Sequence, residues 1–173
     1  MASLGLWACA GLHGVMAAIS VGQIATGQTG REGPLVIIKG LALILYLFVF
    51  IATAVFVCMW FHRATRHALA RGAVLDVSTP ADAVISWFIP FLNLVRPFNI
   101  TRGLLTSAGL EVASVNAWQA MWLIGGLASN AANPSNRNPG TETLGLGVLA
   151  DLLLVGAAIT AAQIVNRLKW PAA

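Results

Sequence analysis

Residues 35–60 form a run of Leu, Ile, Val, Phe, Ala and similar side chains in which Lys39 is the one charge. Crossing the hydrocarbon of a bilayer takes about 20 residues, and this run exceeds that. No water is available there to satisfy backbone groups, which a helix pairs within itself. It is therefore expected to be a membrane helix. The rest of the chain agrees, since 58% of its 173 residues are hydrophobic and 9% are charged. A soluble domain carries about 25% charged residues.

Three further stretches have the length or apolar character of a span: residues 3–24, 113–130 and 144–165. The third of the four in chain order is the least apolar, with Asn116 and Gln119 near its start and Trp118, Trp122, Gly126 and Asn130 at every fourth position. The expected fold is all-α, a four-helix bundle forming a single membrane domain over 1–173. Polar Gly- and Pro-containing connections are expected at 27–34 and 133–140. Pro34 suits a helix start, and nothing breaks the second helix before Gly72. The first apolar run has no Lys or Arg before it, so no cleaved signal peptide is expected.

The distribution of basic residues sets the topology. Four spans with both termini in the cytoplasm place Arg63, Arg66, Arg71, Arg96, Arg102, Arg167 and Lys169 inside, and Arg31, Lys39 and Arg137 outside. That bias is what the positive-inside rule requires. A fifth span at 84–101 would move Arg102, Arg167 and Lys169 outside and Arg137 inside, and the rule rejects it. Residues 84–110 are therefore expected to be a broken amphipathic element on the cytoplasmic side, between the second and third spans. It holds Trp87, Pro90, Asn93 and Pro97. The prolines remove backbone donors, Asn93 could satisfy freed backbone groups, and Asn99 could cap a short helix through Leu110. This element is either a structural interface piece or a re-entrant loop lining a pathway.

Trp60, Arg63 and Arg66, then Trp87-Phe88-x-Pro90-x-x-Asn93-Leu94-x-x-Pro97-Phe98, then Trp118 and Trp122, form a recurring pattern. It resembles an uncharacterised bacterial family of multi-pass membrane proteins, described as a domain of unknown function, over roughly residues 40–166. The resemblance implies a four-helix domain in the bacterial cytoplasmic (inner) membrane. It implies no activity. Relatives often have asparagine at the position of His67, and an acidic residue soon followed by tryptophan where this chain has Gly103-Leu104-Leu105.

Four sets of residues carry the functional expectations. Ala10, Gly14, Ala18 and Gly22 recur every fourth residue and could let another helix approach closely. Asp151 lies within an apolar span, where a carboxylate is costly and a candidate site, and His13 and Lys39 are its candidate partners. That polar set serves either as a contact between helices or as a proton or cation path. Arg63, Arg66, Arg71, Arg96 and Arg102 could contact anionic lipid headgroups, each contributing about 1 kcal/mol, or could serve topology alone. Cys9 and Cys58 have no CxxC partner and read as small buried hydrophobes.

There is no phosphate-binding glycine loop, nucleophile elbow or cofactor motif. His62 and His67 are five apart and do not share a helix face. No enzyme, cofactor, metal site or nucleic-acid partner is expected. The leading expectation is a structural or accessory membrane subunit that packs against other membrane proteins or itself. A small transporter or channel using Asp151 and His13, and an anionic-lipid-binding protein, are the alternatives.

Overall fold

The computed structural model describes residues 1–27, 34–132 and 141–168. Both expected polar connections fall largely outside these residues, as do Arg31, Arg137 and Lys169. The described chain is all-α: α1 (Ala2–Ala25), α2 (Pro34–Ala70), α3 (Pro80–Ile85), a 3-10 turn (Leu92–Leu94), α4 (Arg96–Ser107), α5 (Ala113–Ala131) and α6 (Thr141–Arg167). Among the described residues, α1, α2 and α6 are long and apolar enough to cross a membrane. Helix α5, with 19 residues, is about 28 Å long but less apolar.

Local sequence explains the helix ends. The backbone turns left-handed at Gly27 after α1 and at Gly72 after α2, with φ +66° and +79°. Helix α2 runs for 37 residues, roughly 55 Å at 1.5 Å per residue, so it continues well beyond a bilayer's hydrocarbon. Thr79 and Asp82 form a reciprocal capping box that starts α3, with Pro80 in its first turn. Helix α4 starts earlier than expected, because Pro97 sits in its first turn, where no N–H is needed. Asn99 therefore lies inside the helix and is not its cap. The same helix ends at Ser107, ahead of Gly109 at φ +69°.

The long helices run up and down. Gly5 meets Thr53 and Gly22 meets Leu35 between antiparallel α1 and α2. Gly125 meets Leu153 and Leu154, and Gly147 meets Ala132, between antiparallel α5 and α6. Helix α1 packs along both α2 and α6, while α5 packs along α6. No comparable seam joins α2 to α5 or α2 to α6. Among the described residues the long helices thus pack in the order α2–α1–α6–α5. At one end, α3, the 3-10 turn and α4 fill the space between α2 and α5. That end holds the main core: Phe61, Ala64 and Ala68 of α2, Phe98, Ile100, Leu104 and Leu105 of α4, Val115 of α5, and Ile164 and Leu168. It is called the capped end below.

Only part of the small-residue stripe on α1 packs within this chain, at Ala10 and Gly22. Ala10 is buried, but Ala18 is exposed, and a Cβ at Gly14 would meet nothing within 4 Å. The buried residues of α1 are Ala2, Cys9, Ala10, His13, Met16, Ala17, Ser20 and Gln23. Polar residues are among them because their partners lie on α2 and α6. The tight approach is at Gly5, where a Cβ would lie 2.5 Å from Thr53 Oγ1 and 3.1 Å from its Cβ. Thr53 is stiff at χ1, and its hydroxyl donates to the Val49 carbonyl at 2.7 Å. Gly5→Ala is expected to destabilise the protein by about 1–3 kcal/mol through overpacking, whereas Gly14→Ala leaves it unchanged or slightly more stable. Thermal unfolding of the two variants in the same detergent checks the contrast.

Candidate functional site

Two groups of polar side chains occupy structurally distinct places. The first lies where α1, α2 and α6 meet. His13 Nδ1 and Asp151 Oδ1 are 2.9 Å apart, with side chains 9% and 15% exposed. With Asp151 ionised, Nδ1 carries the proton and donates it to the carboxylate. Tyr46 packs edge-on against the His13 ring at 4.7 Å. Lys39 does not bond to Asp151; its Nζ donates to Ser20 Oγ at 2.6 Å, and Ser20 donates onward to the Met16 carbonyl. Asp151 remains within electrostatic range of both Lys39 and Tyr46.

Helical spacing explains why these groups meet. His13, Ser20 and Gln23 lie on the buried face of α1, and Lys39 and Tyr46 are seven residues apart on α2. Polar groups therefore run along α1 from Gln23 to His13. Beyond His13 the same seam closes with Cys9, whose thiol donates to Thr53 Oγ1 at 3.6 Å, and with the tight Gly5 contact. The expected pairing of His13 with Asp151 is present. Tyr46 and Ser20 were not singled out in the sequence, although the seven-residue offset from Lys39 points to Tyr46.

The second group surrounds the broken element. Trp87 packs on Phe61 at 5.8 Å, nine residues back from the end of α2 at Ala70. Phe98 packs on Trp118 and Trp122 at 4.6 and 5.8 Å, and Trp122 is nine residues into α5. Both ends of 87–98 therefore pack into the capped end, Trp87 against α2 and Phe98 against α5. Residues 80–107 form a hairpin, going out through α3 and returning through α4. Trp87 also contacts Trp118 at 6.2 Å, closing an aromatic bridge between α2 and α5.

The hairpin tip is apolar outside and largely satisfied inside. Phe88, Ile89, Phe91, Leu92, Leu94 and Val95 are exposed. The N–H groups of Trp87, Phe88, Leu92, Asn93, Leu94 and Val95 all donate to carbonyls within residues 84–92, while Pro90 has no N–H. Phe91 takes a left-handed conformation, φ +68°, which is strained for a side chain of that size. Asn93 does not satisfy the freed backbone as expected: its Oδ1 is buried without a partner. Gln119 takes that part, donating Nε2 to the Leu94 carbonyl at 3.2 Å.

The expected arginine cluster divides into anchored and exposed members. Arg102 donates to Asn99 at 2.8 Å, to Asn116 at 3.1 and 2.8 Å, and to Gln119 at 2.9 Å. Three neutral amides hold its planar fork, tying α4 to α5. Arg96 Nε donates to the Asp76 carbonyl at 3.2 Å, fixing the start of α4 to the α2–α3 linker. Arg63, Arg66 and Arg71 are exposed near the end of α2. Arg63, with His62, borders a groove of about 470 Å³ between α2 and α3, otherwise lined by Cys58, Met59, Ala81, Val84 and Ile85.

Among the described residues no group of three His, Cys, Asp or Glu side chains is placed to hold a metal ion. No curated protein and no solved structure matches the chain. A family model described as a domain of unknown function, DUF4328, matches residues 36–169. The match takes in nearly all of α2 and everything through α6, including Lys39, the hairpin and Asp151, while His13 lies before it. On this match the chain belongs to the DUF4328 family.

Proposed function

We propose that this protein is a four-span accessory subunit of the bacterial cytoplasmic membrane, with both termini in the cytoplasm, which packs against other membrane proteins or a second copy of itself. The observation that carries this reading is the outer face of α2. Ile37, Leu41, Ile44, Phe48, Ile51 and Val55 are all exposed at alternating four- and three-residue steps. That spacing makes a continuous seam along one side of a helix, on a side of α2 that no long helix covers. The connectivity supports four spans: helix α2 ends at the capped end and α6 begins at the other, so a crossing by α5 would carry the chain back. Arg63, Arg66, Arg71, Arg96, Arg102 and Arg167 gather toward the capped end, which favours a cytoplasmic placement for it.

Single cysteines along α2, with Cys9 and Cys58 replaced by alanine, test the packing. Cross-linking in native membranes is expected at Ile37, Leu41, Ile44 and Phe48 positions and absent at Thr53, which faces α1. Uniformly monomeric bands along the seam, with no partner retained in mild detergent, would sink the proposal.

A second reading is favoured by the His13–Asp151 pair and by the polar groups leading to it from Gln23. A small transporter or channel would use these two side chains to take up a proton or cation within the membrane. Proton or cation flux into reconstituted vesicles, abolished by Asp151→Asn, is its signature.

A further inference from the structure

The groove between α2 and α3 combines apolar walls with unpaired positive charge at one border. Cys58, Met59, Ala81, Val84 and Ile85 supply the walls, and His62 and Arg63 the border. Arg66 stands one helical turn beyond Arg63 and shares its face. Among the described residues neither Arg63 nor Arg66 makes a hydrogen bond or ion pair, unlike Arg96 and Arg102, which are held in place. The nearest acid in sequence on α3, Asp82, has its carboxylate occupied by the Thr79 N–H of the capping box at 3.1 Å. The wall is continuous with apolar surface on the hairpin tip, since exposed Ile85 leads directly to exposed Phe88 and Ile89.

We propose that this groove is a binding site for one anionic phospholipid of the surrounding leaflet. The phosphate meets Arg63 and Arg66, and the upper part of an acyl chain lies along Met59, Val84 and Ile85. Three features select that occupant. The volume of about 470 Å³ lies in the range of small-ligand pockets, which are mostly apolar with a few convergent polar groups. Guanidinium groups bind phosphate oxygens in a bidentate fork. The groove also sits where the apolar part of α2 gives way to its basic end, so its two halves match an amphiphile's own order. A soluble anion would use the arginines but leave the apolar walls unmatched.

Native mass spectrometry tests this on the full-length protein taken from vesicles of phosphatidylcholine with phosphatidylglycerol. One phosphatidylglycerol is expected to remain bound preferentially. At about 1 kcal/mol per base near an anionic surface, Arg63→Ala or Arg66→Ala should weaken retention about 5-fold, and the double variant about 30-fold. Val84→Trp, which fills the groove without changing charge, should also displace the lipid. Arg167→Ala removes an exposed base from the end of α6 and should leave retention unchanged. Equal losses in Arg167→Ala and Arg63→Ala would reduce the effect to general headgroup attraction and overturn the site. So would equal retention of the two lipids, or retention unaffected by Val84→Trp with Arg63 and Arg66 intact. Inorganic phosphate competing as well as the lipid would assign the arginines to a free anion and also overturn it. None of these outcomes depends on the outer seam of α2.

Discussion

Phe98→Ala is expected to lower stability by about 3–5 kcal/mol, the usual cost of deleting a fully buried aromatic side chain. Phe98 is 0% exposed and packs on Trp118 and Trp122. It lies in the first turn of α4, so it holds the returning arm of the hairpin against α5. The aromatic bridge from Phe61 through Trp87 to Trp118 depends on the same arm. Losing Phe98 should therefore loosen the capped end as a unit, seen as a lower melting temperature and as faster hydrogen exchange in residues 87–107. Phe88→Ala is the matched control. Phe88 is 73% exposed, and its removal should leave the melting temperature in detergent nearly unchanged. Equal destabilisation by the two changes would contradict this arrangement of the hairpin.

The second large effect is expected at the His13–Asp151 pair. Removing one partner of a buried hydrogen bond leaves the other group unsatisfied, which costs about 3 kcal/mol when that group can carry a charge. Asp151→Leu or His13→Leu alone should therefore destabilise the protein strongly. The double variant should recover much of that loss, because two apolar side chains suit the seam between α1 and α6. A double-mutant cycle by reversible unfolding in detergent measures this coupling. Additive losses in the double variant would show that the two side chains do not act as a pair. The cycle also bears on the transport reading. A double variant that regains stability while vesicle flux stays abolished gives the pair a role beyond holding helices together. Absence of flux in the unaltered protein removes that role.

Much of the architecture was legible in the sequence because backbone pairing and apolar length leave a chain in lipid few choices. The residue ranges expected for the four long helices agree with α1, α2, α5 and α6 to within a few residues, apart from the extension of α2 past Trp60, which was itself read from the lack of any breaker before Gly72. The interruption at Trp87–Phe98 was visible because two prolines cannot continue a helix. Rise per residue put both His13 and Lys39 near the depth of Asp151, and the structure pairs His13 with it while Lys39 donates to Ser20. Local rules fared less well at the start of α4. Asn99 has the chemistry of a cap, but Pro97 was already placed to begin the helix.

Tertiary structure decided what periodicity and composition could not. A small-residue stripe indicates where a helix could approach, not which face its neighbours choose. Here the polar partners on α2 and α6 turned α1 so that Ala18 faces outward and Gly5 carries the close contact. Asn93 and Gln119 offer the same amide chemistry, and only the fold back along α5 placed Gln119 on the Leu94 carbonyl. The arginines read alike as basic residues, yet geometry fixed Arg96 and Arg102 in hydrogen bonds and left Arg63 and Arg66 at a groove. The sequence by itself determined helices, their lengths and the position of the break, because these follow from satisfying each backbone group nearby along the chain. The order of the long helices, the packing of the hairpin and the partners of each polar side chain depend on contacts between distant segments, so only the assembled structure could decide them.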